Sequence, residues 1–332
     1  MFDYKRFSSY WEDPSSPLQV QWSMGNVCNW DCEYCPDYSK AGDNPWPDMN
    51  HCTNFLNQLF DHVNKIDKKV HIDLIGGEVT LFPQFKQLAE MINSNGSTLS
   101  IFSNGSRTVR FWEEVKDYLN TIVISYHPLS NTREHLTNVI DVLLSSNKND
   151  GEGTIPTVNF ACVKNYIDEI IAMRNELHYY WEGRVNLELR LLRDKRGHRK
   201  YGQWHYDYTQ EEIDKIMAPP PWHNQPVEHF FTPTQQPGEI KIVHLNDSIS
   251  WHNLNDIIVG NMNVFKGMYC NIGRESIVVD FKGNIRTGYC QHGSAGHISD
   301  GNINFPSDSH VLCQQESCFN LRDLQATKFV KT

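Results

Sequence analysis

The sequence predicts an α/β fold: a parallel sheet with helices packed outside it, followed by a smaller, cysteine-bearing C-terminal module. Three observations carry this expectation. Between residues 17 and 192, short apolar runs alternate strictly with longer amphipathic ones, about six times over. Gly, Asn and Pro punctuate the ends of those runs. The nine cysteines are unevenly spread, three at 28–35 and four at 270–318, with only Cys52 and Cys162 standing alone.

The elements follow in order. "LQVQWSM" (18–24) reads as a strand leading into the loop "MGNVCNWDCEYCPDYS", and "CTNFLNQLFDHVNKI" (52–66) carries apolar residues at helical spacing. "VHIDLIGGE" (70–78) is a strand ending in a Gly pair, and "FKQLAEMINSNG" (85–96) is a helix with an Asn-Gly stop. Strands are expected at 98–106, 121–128, 157–163 and 184–192, and helices at 109–119, 132–146 and 166–181. The alternation fits an open doubly wound sheet or a full or partial barrel. In either form the working residues gather at the C-terminal ends of the strands. The cysteine loop, Gly76-Gly77-Glu78, Ser103-Asn104-Gly105 and "SYHP" (125–128) each follow a strand directly, so they should meet at one mouth. From 195 to 265 the pattern breaks into a Pro-rich, aromatic connector. Short β-like runs follow, including a hairpin in "SIVVDFKGNIRTGYC" (276–290) with its turn at Lys282-Gly283.

A chain of 332 residues, 39 % apolar, can form one large domain or a domain plus a module. Lys+Arg 30 against Asp+Glu 40 gives a net charge of −10, which argues against nucleic acid as a partner. No apolar run reaches the roughly 18 residues of a membrane span, and the N-terminal residues lack a signal-peptide stretch. The expected compartment is cytoplasmic, where thiols stay reduced, so the cysteines point to metal or catalysis before disulfides.

Cys28, Cys32 and Cys35 have the spacing C-x3-C-x2-C. Two thiols make a disulfide and four hold a zinc. Three thiolates from one loop can bind three irons of a cubane and leave the fourth iron open to chelate a small molecule. A zinc site with a fourth ligand such as a His is the other reading.

These residues resemble the radical S-adenosylmethionine (SAM) family. The likeness rests on Cys28, Cys32 and Cys35 after the first strand, Tyr34 just before the last cysteine, Gly76-Gly77-Glu78 closing the second strand and Ser103-Asn104-Gly105 closing the third. It covers about residues 17–192 and implies a partial (β/α)6 TIM-like barrel over 17–195, with 196–265 as a connector or lid. It implies a [4Fe–4S] cluster on the three cysteines whose open iron binds the amino and carboxylate groups of SAM. One electron then cleaves the S–C5′ bond, and the 5′-deoxyadenosyl radical takes a hydrogen atom from the substrate. By resemblance Tyr34 packs near the adenine, Gly76 and Gly77 admit the methionine moiety, and Glu78 accepts from its ammonium. Ser103, Asn104 and Ser125 reach ribose or carboxylate, and Arg190 pairs with the carboxylate. His127 in "SYHP" serves as a proton donor or substrate contact. An electron donor such as flavodoxin or ferredoxin is implied as a partner.

Cys270, Cys290, Cys313 and Cys318 suit zinc or a fully ligated [4Fe–4S] cluster. The "C…G…C" hairpin and the following "GHI" (296–298) resemble the auxiliary-cluster modules called Twitch or SPASM. Four cysteines fit the smaller Twitch type, over 266–325. A cluster with four protein ligands implies electron transfer, hence dehydrogenation or bond formation. Cys52 and Cys162 read as buried small apolar residues. The basic run "RLLRDKRGHRKYG" (190–202) would attract an anionic substrate, and the aromatic segment 201–231 would form a lid or pack between barrel and module. About 17 residues before the first strand leave no room for a peptide-recognition domain, and "KFVKT" lacks the Gly-Gly tail of the molybdenum-cofactor cyclases. Two classes of function remain. One is a radical SAM enzyme acting on a small molecule or peptide. The other is a non-catalytic iron–sulfur or zinc-stapled binding protein.

Overall fold

The computed structural model describes residues 4–146, 154–192, 206–222, 239–253, 260–290, 293–306, 310–318 and 320–331, with Ile257. After β1 (Tyr4–Ser8) the first half runs β2 (Leu18–Ser23), α1 (Met49–Lys65), β3 (Val70–Ile75), α2 (Phe85–Ser94), β4 (Thr98–Ser103) and α3 (Val109–Val115). It continues through β5 (Thr121–Tyr126), α4 (Arg133–Leu144), β6 (Ile155–Ala161), α5 (Ile167–Tyr180) and β7 (Asn186–Arg190). Then come α6 (Gln210–Met217), β8 (Glu239–His244), β9 (Ile249–Asn253), β10 (Tyr269–Cys270), β11 (Ser276–Val279) and β12 (Asn284–Arg286). The last elements are β13 (Ser294–His297), β14 (Val311–Leu312), α7 (Leu321–Gln325) and β15 (Lys328–Phe329).

Strands β2 to β7 lie side by side in chain order, all parallel. A doubly wound sheet would reverse direction part-way across; this one does not. The sheet is open among the described residues. Strand side chains alternate between two faces. Val20, Trp22, Leu74, Ile101 and Ile124 turn to one face and join Phe55, Leu59 and Leu88 of the helices in the main core. The other face carries Gln21, Asp73, Ser100 and Thr121 in register, with His71, Asn159 and Arg190 on the same side. A polar face is unusual for a parallel sheet, which normally buries both.

The C-terminal hairpin does not stand apart. Strand β11 pairs parallel with β2, Val279 opposite Trp22, and β12 and β13 follow antiparallel. The main sheet therefore has nine strands in the order β13-β12-β11-β2-β3-β4-β5-β6-β7. The hairpin turn falls at Lys282-Gly283 as expected. Gly283 takes φ 83° there, and Asp280 accepts from the backbone N–H groups of Lys282 and Asn284 at 2.9 and 3.0 Å.

A second sheet of six strands, order β14-β10-β15-β1-β8-β9, closes over Phe7, Phe265, Ile240, Ile242 and Leu324. Strands β1, β10, β14 and β15 of this sheet and helices α6 and α7 were not expected from sequence. Strand β1 is five residues long and gains its partners from residues 241–244 and 328–329. Helix α6 opens on a capping box, Thr209 with Glu212, which the sequence does carry as "TQEE". No helix among the described residues is long and apolar enough to cross a membrane.

Candidate active site

The cysteine loop is held at its base by Asn26, which is fully buried. Its amide donates to Tyr38 O at 2.9 Å and Asp43 Oδ1 at 2.6 Å, and its carbonyl accepts from Asn44 N–H at 2.9 Å. Within the loop, Cys35 N–H donates to Cys32 O at 3.1 Å, and Lys40 Nζ, paired with Asp31, donates to the same carbonyl at 2.8 Å. The three thiols are partly exposed. Burial pushes Cys28 up, with the charges of Glu78 and Cys35 adding to it. Burial also pushes Cys32 up, with Cys35 and Cys28 adding. Thiols that feel one another in this way gain from a shared cation, which reverses the shift by binding the thiolates.

Gly76 and Gly77 fit against that loop. A Cβ at Gly76 would lie 2.4 Å from Gly25 O, and one at Gly77 would lie 2.2 Å from Val27 O. Gly77 N–H donates to Gly25 O at 3.0 Å and Glu78 N–H to Val27 O at 2.8 Å. The absent side chains thus admit the cysteine loop's own backbone. Glu78 is fully buried. Its Oε1 accepts from Thr80 N–H (3.1 Å), Thr80 Oγ1 (2.6 Å) and Ser103 Oγ (2.9 Å), and its Oε2 accepts from Asn104 N–H (2.5 Å). Burial pushes this carboxyl above its ordinary value against those donors. Asn104 Nδ2 donates to Asn29 Oδ1 at 2.9 Å and lies 3.9 Å from Cys28 Sγ. Ser103 and Asn104 are therefore fixed by Glu78 beside the first cysteine.

Tyr34 and His127 stack at 5.5 Å, the Tyr34 hydroxyl against His127 Nδ1, and Trp30 meets the imidazole edge-on at 5.1 Å. His127 Nδ1 lies 3.7 Å from Cys32 Sγ. Burial lowers His127 to about 4 and raises Tyr34. The imidazole is neutral at pH 7 and forms the wall of the cysteine loop.

Ser125 lies opposite Asn159 in the β5–β6 register, and Arg190 Nε donates to Asn159 Oδ1 at 3.2 Å while its other arm pairs with Glu188. These three strand ends share the polar face. Tyr206, in the expected lid, donates to Glu33 Oε1 at 2.5 Å, and Tyr208 donates to Cys162 O at 2.6 Å. Residues 193–205, with most of the basic run, and Phe230 and Phe231 lie outside the described residues. Sequence reasoning missed Asn26, Lys40 and Trp30, whose polar or aromatic identity carries no spacing signal.

Cys270, Cys290, Cys313 and Cys318 line one cavity of about 390 Å³ together with Phe265, Tyr289, Asp323 and Lys328. Asp323 accepts from the backbone N–H groups of Tyr289 and Cys290 at 2.9 and 2.7 Å. Tyr289 Oη donates to Gln21 Oε1 at 2.6 Å, so this residue joins the cavity to the polar face of β2. Burial pushes Cys318 up to about 12, the Lys328 charge working against it. Among the described residues no three His, Cys, Asp or Glu side chains converge closely enough to hold a single metal ion. A cluster of several irons takes thiolates set wider apart. Cys52 and Cys162 are fully buried among apolar neighbours, with burial pushing their thiols up to about 12 and about 11.

Residues 22–141 match the model of the radical SAM superfamily. No curated protein matches the sequence. Among solved structures, native anSMEcpe with bound AdoMet aligns at TM-score 0.52 and 13 % identity, covering 86 % of this chain and 78 % of that one. The same protein with AdoMet and the Cp18Cys peptide gives 0.50 and 14 %, with the same coverage. Streptococcus suis SuiB bound to precursor peptide SuiA gives 0.39 and 15 %, covering 53 % of this chain and 39 % of that one. At these identities the likeness is one of fold, and this chain spans about two fifths of SuiB.

Proposed function

From the match of residues 22–141 to the radical SAM superfamily model, we propose that this chain is a radical SAM enzyme that cleaves SAM reductively and takes a hydrogen atom from a small molecule or a peptide. One observation carries the reading: Cys28, Cys32 and Cys35 sit in one loop whose backbone is clamped, through Gly76 and Gly77, to the C-terminal ends of a parallel sheet. We read residues 17–195 as a partial (β/α)6 TIM-like barrel, 196–265 as its connector and 266–325 as a Twitch-type module. Cys28, Cys32 and Cys35 would hold the SAM-binding [4Fe–4S] cluster, and Cys270, Cys290, Cys313 and Cys318 an auxiliary one; four thiols around a single cavity support the second. When bound, the first cluster and SAM supply a 5′-deoxyadenosyl radical by one-electron cleavage, the electron coming from an external donor such as flavodoxin or ferredoxin.

The chain's own residues then position and enclose. Glu78, taken by four donors and out of reach of solvent, acts on SAM by fixing Ser103 and Asn104 rather than as the ammonium's own acceptor. Arg190 and Ser125 on the polar face are the groups we assign to a carboxylate of SAM or substrate. Tyr34 and His127 wall the loop on that side and keep water from it. The polar sheet face, reached by Tyr289 from the four-cysteine cavity, is where we place the substrate, with a redox outcome such as dehydrogenation or bond formation. A peptide is the first substrate class to try, since anSMEcpe shares the fold and is solved with one. The test is anaerobic incubation of the reconstituted chain with SAM and dithionite. Release of 5′-deoxyadenosine by wild type and its loss in Cys32→Ala support the reading. Equal release by both would refute it.

A further inference from the structure

Lys328, at the start of β15, lines the four-cysteine cavity and is only 1 % exposed. Its Nζ donates to the backbone carbonyls of Asp323, Leu324 (2.9 Å) and Ala326 (2.7 Å) at the end of α7. Three acceptors match the three N–H bonds of an ammonium; a neutral amine has only two. The faces of Phe7 and Phe265 lie 5.4 and 5.0 Å from Nζ. Among the described residues no carboxylate forms an ion pair with it. Asp323, which lines the same cavity, spends its carboxylate on the backbone of Tyr289 and Cys290.

A buried cation without a counter-ion is costly, and carbonyl dipoles and ring faces offset only part of that cost. Four thiols line the cavity with it, among uncharged neighbours such as Ile272, Val311, Gln315, Ser317 and Asn320. Thiolates on a cluster make the filled cavity negative, and a further electron makes it more so. We propose that Lys328 is the fixed counter-charge of the C-terminal site and favours its reduced state, a role that rests on the reading of these cysteines as ligands of a [4Fe–4S] cluster. Helix capping explains the three hydrogen bonds of Lys328. It does not explain why a full charge, rather than Gln or Ser, is buried against four cysteines.

The experiment uses the full chain carrying Cys28/Cys32/Cys35→Ala, so that only the second site fills. After anaerobic reconstitution, iron is counted and the one-electron couple is titrated by EPR. Parent and Lys328→Met should each hold about 4 irons. In Lys328→Met the reduced-to-oxidised ratio at a fixed potential should fall about tenfold, equivalent to 59 mV for a one-electron couple. Lys328→Arg, which keeps the charge, should titrate as the parent does. Full iron with an unchanged potential in Lys328→Met overturns the inference. If Lys328→Met holds no iron, Lys328→Arg decides: iron at the parent's potential supports a charge role, and loss of iron there as well refutes it. A parent chain without iron overturns instead the cluster reading on which the inference stands.

Discussion

Replacing Gly77 by alanine should disable the first cysteine site without unfolding the protein. The added Cβ would lie 2.2 Å from Val27 O, 2.6 Å from Val27 C and 2.9 Å from Asn26 C. All three are backbone atoms of the cysteine loop, so no rotamer change relieves the contact. Restoring ordinary contact, 3.4–4 Å, moves Val27 O by more than an ångström and breaks the 2.8 Å bond from Glu78 N–H. Overpacking of this kind costs about 1–3 kcal/mol, and an ångström of misplacement at reacting groups costs on the order of 10²-fold in rate. The assay is iron content, 5′-deoxyadenosine release and thermal unfolding, run beside Gly301→Ala, whose new Cβ meets nothing within 4 Å. Gly77→Ala should unfold cooperatively a few degrees lower, keep the C-terminal irons and release 5′-deoxyadenosine about a hundredfold more slowly. Wild-type release from Gly77→Ala would refute the claim that the Gly pair exists to seat the loop.

Three further outcomes follow from the same geometry. Glu78→Gln presents an amide N–H to a site that holds only donors, so it should destabilise by about 1–3 kcal/mol in denaturant unfolding and release less 5′-deoxyadenosine. A neutral effect would mean that the carboxylate is already protonated. Arg322→Met strands Asp73, whose ion pair has both side chains 12 % exposed, and should cost about 3–5 kcal/mol at pH 7. Burial pushes Asp73 up, but Arg322 and His71 outweigh it and hold the carboxyl below 3.8. The pair's contribution is therefore present above 3.8 and lost as pH falls through the lower folded value, so the gap between wild type and Arg322→Met should narrow on acidification. A gap that widens in acid, read by unfolding at a series of pH values, would reverse the sign assigned to this pair. Cys52 and Cys162, fully buried with raised thiol pKa values, should stay unalkylated at pH 8 in the folded protein while Cys28 labels once iron is chelated; mass mapping of the modified peptides decides.

The β/α half of the molecule was legible because its signals are local. Period-two and helical runs such as "VHIDLI" and "NFLNQLF" name their own element, and all six strands and five helices expected there are present. Pairings across the chain were not legible. The pentapeptide at 4–8 becomes a strand only because residues 241–244 and 328–329 lie beside it. Nothing in "SIVV" announces that it will add to the first strand of the sheet. At the site, cysteine spacing singles out Cys28, Cys32 and Cys35 as candidate ligands, while the close approach of Gly76 and Gly77 to the backbone of residues 25–27 carries no spacing signal. Nothing in "KFVKT" marks Lys328 as buried; only the folded packing against Phe7 and Phe265 makes it a buried charge.

The central claim is that one chain carries two iron–sulfur sites built from separate sets of cysteines. Iron and sulfide counted after anaerobic reconstitution test it most directly, in wild type and in Cys28/Cys32/Cys35→Ala. About 8 irons per chain falling to about 4 is the expected result. About 4 falling to none would leave the C-terminal cysteines without a cluster, and no iron in wild type would contradict the account altogether.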